Sequence, residues 1–351
     1  MSPTLPPRVL ILGSTGFLGR WLALELLTQG VPVAAAVRGV GAAAWLRRWL
    51  RDHGADSAEL TTVPADLTRP VLGLSPADDA RLGEVRDVYN LAARYRFGLT
   101  RAEAEPVNLY GALNVLQWAA GRPMLRRMVH VSGYRTGNDP QPRYPLDQPA
   151  VEALYRGLDG YLASKRLADA AVRVTAPGLG VPLTTVNPAS VIGHSRTGEA
   201  GQHIGLAEMV RHLHTGRLAL LPSSKRTFVP VVTVDHLARF LAAVPEFDRE
   251  PVQVHTVLDP STPFLPDLIG MLAAHLDVRP PRATVPPALV RRLPRVLTGS
   301  APKSFAFLSE EQYDTASAER LAATVGLTHP PVLPALQRWA TRLVADGFGV
   351  A

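Results

Sequence analysis

The chain has 351 residues, a formal net charge of +7 and no cysteine. That length is enough to bury a large core, and without cysteine there are no disulfides, no thiolate catalysis and no cysteine-ligated zinc. Lys165, Lys225 and Lys303 are the only lysines, so nearly all the positive charge is arginine, spread without a basic block, which argues against a nucleic-acid groove.

The beginning, Met1-Ser-Pro-Thr-Leu-Pro-Pro, is polar and proline-rich. The first apolar run is too short for a signal-peptide core, and no run approaches the length that crosses a bilayer. A cytoplasmic protein without integral membrane contact is expected.

Val9 to Leu12 form a continuous apolar run, the pattern of a parallel strand covered on both faces. A glycine-rich turn follows, Gly13-Ser14-Thr15-Gly16-Phe17-Leu18-Gly19, and a helical apolar face continues through Trp21, Leu22 and Leu26 to Gly30. In such a turn Gly13 bends the chain, Gly16 clears the approach of a diphosphate, and Gly19 lets the helix pack closely. The uncovered N–H groups of the new helix then face an anion, so Gly13 to Gly19 are the expected dinucleotide-binding residues. The spacing, G-x-x-G-x-x-G, resembles the short-chain dehydrogenase/reductase superfamily.

Val31 to Val37 read as a second strand that ends at Arg38. In the dinucleotide fold an acidic residue at this strand end selects NAD. Val33-Ala-Ala-Ala-Val-Arg38-Gly39 has none, and Arg38 is placed to pair with a 2′-phosphate, so NADP(H) is favoured, with NAD(H) the alternative. Trp45 to Asp52 read as helix and Leu60 to Ala65 as a third strand. The resemblance implies that Asp66 and Leu67 meet the adenine, although Asp66 also suits a turn cap.

Val85 to Tyr89 are a fourth strand, leaving through Asn90-Leu91-Ala92-Ala93. This exit resembles the "HLAA" of extended members of the superfamily, with Asn90 in the histidine's place. Leu91, Ala92 and Ala93 are thereby expected against the cofactor, as is Asn108 on the helix Pro106 to Ala120. Met128 to Val131 are a fifth strand that delivers Ser132 at the carboxyl edge, where ligands bind in parallel α/β sheets.

A helix containing Tyr161-Leu-Ala-Ser-Lys165 comes next. Residues four apart share a helix face, so Tyr161 and Lys165 lie on one surface. Ser132, Tyr161 and Lys165 are the expected catalytic group. Tyr161 would exchange a proton with a carbonyl oxygen, Lys165 would lower the phenol's pKa and hydrogen-bond the nicotinamide ribose, and Ser132 would hold the oxygen. Many relatives carry Ser or Thr where this chain has Gly133, which leaves Thr136 as the other hydroxyl candidate.

Val181 to Val186 are a sixth strand, followed by Asn187-Pro188-Ala189-Ser190-Val191-Ile192-Gly193. The resemblance covers residues 8 to about 260 and is nearest the male-sterility/thioester-reductase and dihydroflavonol-reductase branches of the extended type. It implies that Pro188, Ala189 and Val191 place the carboxamide of the nicotinamide, and that a homodimer forms through residues 106–120 and 160–174.

The regular alternation then stops. Residues 194–227 read as an irregular cover, Phe228 to Val234 and Val252 to Leu258 as strands, and Phe264 to Leu276 and Ala335 to Ala345 as helices. The expected architecture is α/β, a doubly wound parallel sheet of the Rossmann type over residues 1–193 with 228–258 returning to it. Residues 194–227 and 259–351 are expected to form a substrate cover and a smaller, mostly helical C-terminal domain. Val290, Leu293, Val296 and Leu297 among arginines suit a loop packed on that domain better than a membrane-surface segment.

His130, His194 and His203 lack the spacing of a metal site, so no metal is expected. Together these features point to an NADP(H)-dependent oxidoreductase moving hydride between the nicotinamide and a carbonyl or alcohol of a small-molecule substrate. Tyr95, Phe97 and Tyr134 near the active edge suggest that the substrate is apolar. The alternatives are a 3β-hydroxysteroid-type dehydrogenase, a nucleotide-sugar epimerase using NAD, and a dinucleotide-sensing binding protein without chemistry.

Overall fold

Parallel strands with both faces covered dominate the first half of the chain, as the unbroken apolar runs require. The computed structural model describes residues 5–96, 98–137, 139–286 and 308–349. The calls on Phe97 and on Val290 to Leu297 lie outside the described residues. The chain divides into two compact units, one running to Asn187 with Ala238–His255 and Arg320–Val325, the other holding Pro188–Leu237, Thr256–Glu319 and the chain from Gly326. The division falls after Asn187, where the sequence reading put it after Gly193.

The elements in order are β1 (Val9–Leu12), α1 (Phe17–Thr28), β2 (Val33–Val37), α2 (Ala42–Asp52), β3 (Leu60–Pro64), α3 (Pro76–Arg81), β4 (Asp87–Asn90), α4 (Arg101–Glu105), α5 (Gly111–Ala120), β5 (Arg127–Val131), α6 (Gln148–Gly157), α7 (Gly160–Thr175) and β6 (Leu183–Pro188). There follow β7 (Ser190–Ile192), α8 (Leu206–His214), β8 (Leu220–Pro222), β9 (Val231–Thr233), α9 (Val234–Phe247), β10 (Val252–Val257), α10 (Leu265–His275), β11 (Ala283–Val285), α11 (Ala316–Thr324) and α12 (Val332–Ala345).

Seven strands form one sheet in the order β10-β6-β5-β4-β1-β2-β3. Register pairs Leu12 with Ala36 of β2 on one side and with Asn90 of β4 on the other, both parallel. After β3 the chain crosses to the far side of β1, so the strand order reverses between β1 and β4. That reversal opens the crevice outside the carboxyl ends where doubly wound sheets take their ligands.

One face of the sheet is covered by α5 and α7, whose Ala112, Val115, Leu116, Leu167, Ala171 and Val172 join Leu10, Val88 and Met128 in a single core. The helix expected from Pro106 begins earlier, at Arg101, and is interrupted by a π-helical turn over Pro106–Tyr110. Pro106 has no N–H to donate, and a wider turn is one way a helix accommodates that gap.

In the second unit, α8, α10 and α12 pack Met209, Val210, Leu213, Leu268, Ile269, Leu272, Leu336, Trp339 and Leu343 around the short pairs β7–β9 and β8–β11. Residues 194–227 are therefore not irregular throughout, as the sequence suggested. They contain α8 and β8, and α8 buries a full apolar stripe.

Candidate active site

The glycine turn sits directly after β1, at the strand reversal. Gly13 has φ +85°, and a Cβ there would stand 2.8 Å from the Ala92 nitrogen and 2.9 Å from the Leu91 carbonyl carbon. Only a residue without a side chain lets the turn pass so close to the exit of β4. A Cβ on Gly19 would overlap the Gly13 carbonyl oxygen, so this glycine seats α1 on the turn.

Gly16 is different, because its Cβ would meet nothing nearer than the same oxygen, at 3.1 Å. It is the N-cap of α1, with no side-chain cap and no acid in the first turn. The first N–H groups of α1 thus keep their anion-binding capacity. Ser14 turns inward, its hydroxyl donating to the Ala36 carbonyl at 2.8 Å, while Phe17 and Leu18 enter the core. These residues fit the diphosphate of a dinucleotide through backbone groups.

Arg38 is exposed just beyond β2, and its guanidinium helps to hold the Asp66 carboxyl below the usual range, after the larger effect of hydrogen bonds from Thr68. Asp66 accepts from the Thr68 hydroxyl at 2.7 Å and from its backbone N–H at 3.0 Å. The carboxylate expected at the adenine therefore closes a turn, and Leu67 offers its carbonyl to Asn114 at 2.7 Å.

Asn108 is likewise engaged. It is 2% exposed, accepts from Arg94 N–H at 2.7 Å and donates to the Ser164 hydroxyl at 2.9 Å. Its amide fastens the segment after β4 to α7. Leu91, Ala92 and Ala93 are half-buried on the segment it holds.

Asp159 caps α7, accepting from Leu162 N–H at 2.8 Å, and so sets the phase of the face that carries Tyr161 and Lys165. The Lys165 ammonium is buried and donates to the Val131 carbonyl at 2.6 Å, which brings it to the carboxyl end of β5. Burial pulls its pKa down to about 8, against the pull of Asp169.

The Tyr161 ring lies 4.7 Å from that of Tyr95, tilted by 54°. Burial drives the phenol pKa well above its ordinary value, with Tyr95 and Asp159 adding to the rise. Among the influences on this phenol burial leads, and Lys165 bonds to the strand carbonyl beside it.

Ser132 is engaged within the protein. Its hydroxyl shares a 3.1 Å hydrogen bond with that of Thr136 and stabilises the Asp169 carboxylate, whose pKa burial nonetheless raises. Thr136 in turn donates to the Gly133 carbonyl at 3.1 Å. Both hydroxyls are 6% exposed and face inward. Asp169, missed in the sequence, follows Lys165 by one helical turn, and that spacing on the Tyr161 face was its signal.

His130 is a core residue of β5, 1% exposed and 3.3 Å from the Asn90 amide through Nδ1. Burial, then Lys165, holds its pKa well below the usual imidazole value. Pro188, Ala189 and Val191 belong to the second unit. There Ala189 N–H donates to the Val257 carbonyl at 2.9 Å and Val191 pairs with Val232.

Residues 11–241 match the family described as "Male sterility protein". The chain is 28% identical over 286 residues to tetraketide alpha-pyrone reductase 1 of Arabidopsis thaliana, covering 78% of this chain and 82% of that protein. It is also 28% identical over 260 residues to the aldehyde reductase lnaA of Aspergillus flavus, covering 67% of this chain but spanning only 24% of that longer protein. In fold it is similar to the terminal R domain from the myxalamid PKS-NRPS pathway, at TM-score 0.76 and 20% identity over 99% of this chain and 93% of that one.

Proposed function

The chain belongs to the male sterility protein family, within the extended short-chain dehydrogenase/reductases, and from that premise we propose that it is an NADP(H)-dependent reductase of an apolar carbonyl compound. The observation that carries this reading is the Tyr161–Lys165 face of α7, tied by the Lys165–Val131 hydrogen bond to the carboxyl end of the sheet. The glycine turn opens at the same end.

In this reading the N–H groups of Gly16, Phe17 and Leu18 hold the diphosphate and Arg38 meets the 2′-phosphate. A dinucleotide held there would supply the hydride that the carbonyl carbon takes up. Tyr161 gives its proton to the carbonyl oxygen as the C=O double bond becomes a C–O single bond, and the phenolate regains a proton from solvent. Burial keeps the phenol protonated at neutral pH, the form that donates. Lys165, at a pKa of about 8, is largely charged at neutral pH and stabilises the negative charge that develops on Tyr161.

The named relatives, an alpha-pyrone reductase and an aldehyde reductase, support a carbonyl substrate. The same reading makes the protein cytoplasmic, and homodimeric through residues 106–120 and 160–174, a state that light scattering on the purified protein tests. For the activity, NADPH and NADH oxidation are followed with ketones, aldehydes and acyl thioesters. Turnover that saturates with NADPH at lower concentration than with NADH is expected. No oxidation of either cofactor with any of these compounds contradicts the reading.

A further inference from the structure

A carbonyl oxygen that gains charge during reduction is stabilised by two donors better than by one. The residues that end β5 do not provide the second. Ser132 and Thr136 are 6% exposed, bonded to each other at 3.1 Å and further engaged by Asp169 and the Gly133 carbonyl. Gly133 itself has no side chain.

The segment after β4 provides an alternative. Tyr95 lies with its ring 4.7 Å from that of Tyr161 and remains 41% exposed. Its backbone neighbour Arg94 is held by Asn108 through bonds of 2.7 and 3.4 Å, and Asn108 is bonded to Ser164 of α7. The two phenols are therefore carried on elements fastened to each other beside Tyr161.

We infer that Tyr95 is a substrate-binding residue, its phenol supplying with Tyr161 the second hydrogen bond to the carbonyl oxygen in place of a hydroxyl from the end of β5. This rests on the reductase reading. Asp159 stands near both phenols, 5% exposed and with Oδ2 accepting no hydrogen bond among the described residues. Both remain O–H donors throughout the neutral range.

The test is Tyr95→Phe, which keeps the ring and removes only the oxygen, assayed with cinnamaldehyde and decanal as carbonyl probes. A loss of kcat/KM of about 10- to 100-fold is expected, with an unchanged melting temperature and unchanged NADPH binding by fluorescence titration. Wild-type kcat/KM in Tyr95→Phe overturns the inference, as does a loss of NADPH binding, which would make Tyr95 a cofactor or packing residue. So does full retention in Tyr95→Phe alongside a loss in Ser132→Ala. If wild-type protein turns over neither probe nor any other carbonyl compound, the reductase reading itself fails; if it does turn over, only the role of Tyr95 is at stake.

Discussion

The Lys165 ammonium donates a 2.6 Å hydrogen bond to the carbonyl of Val131, so a buried cation from α7 is fixed to the last residue of β5. A lysine in that position lies far from water, and its pKa falls to about 8 from the usual 10.5. The unfolded chain binds this proton more tightly than the folded one. The charged lysine therefore costs stability fully below about pH 8, on the order of 3 kcal/mol, and the cost fades as pH rises from 8 toward 10.5. Lys165→Met is expected to be more stable than wild type at pH 7, by a margin that shrinks over that window, while losing turnover. Denaturant unfolding of both proteins at several pH values measures the margin. A constant margin, or a less stable variant, contradicts the prediction.

Tyr161 is predicted to titrate above the ordinary phenol value of about 10 in the free protein, because burial dominates and Tyr95 and Asp159 reinforce it. Carbon-13 labelling of the tyrosine ring, with Tyr161→Phe to assign the signal, reads the titration directly. A midpoint near neutrality would restore the effect of Lys165 that the sequence suggested.

How far the site was legible in sequence depended on whether a local pattern or a remote contact decides it. The glycine spacing was enough for the turn, since Gly13 and Gly19 answer to steric contacts with the neighbouring backbone. The shared face of Tyr161 and Lys165 followed from helical periodicity. The inward turn of Ser132 did not, because it depends on Thr136 and on Asp169 of a helix far along the chain. The burial of Tyr161 was not legible for a similar reason: helical spacing reveals a cation nearby, whereas burial is a property of the packed structure. Helix α8 was readable, with Leu206, Met209, Val210 and Leu213 at helical intervals, but its flanking glycines Gly201, Gly205 and Gly216 gave the stretch the look of a loop.

The last two glycines of the turn separate packing from binding. Gly19→Ala is expected to cost more than about 3 kcal/mol of stability, because the new methyl overlaps a backbone carbonyl that cannot move aside. Gly16→Ala meets only a 3.1 Å contact and is expected to change stability by about 1 kcal/mol or less. It should still weaken NADPH binding about tenfold or more by obstructing the diphosphate. Thermal melts with NADPH titration distinguish the pair. Equal effects of both substitutions on stability and on binding would argue against separate roles.

Arg38 is exposed just past the end of β2, and Val33–Val37 carries no carboxylate to hold a ribose hydroxyl. Arg38→Ala is expected to raise the NADPH dissociation constant by about tenfold or more and leave that for NADH nearly unchanged. Equal losses for the two cofactors would show that Arg38 does not meet the 2′-phosphate.

The whole account is tested most directly by one comparison, NADPH binding and NADPH oxidation in Tyr161→Phe against wild type, on the same preparation with the same carbonyl compound. The account predicts NADPH affinity within about threefold of wild type and turnover lower by about 10²- to 10⁴-fold, since only the transferable proton has been removed. Turnover close to wild type in the phenylalanine variant would contradict it.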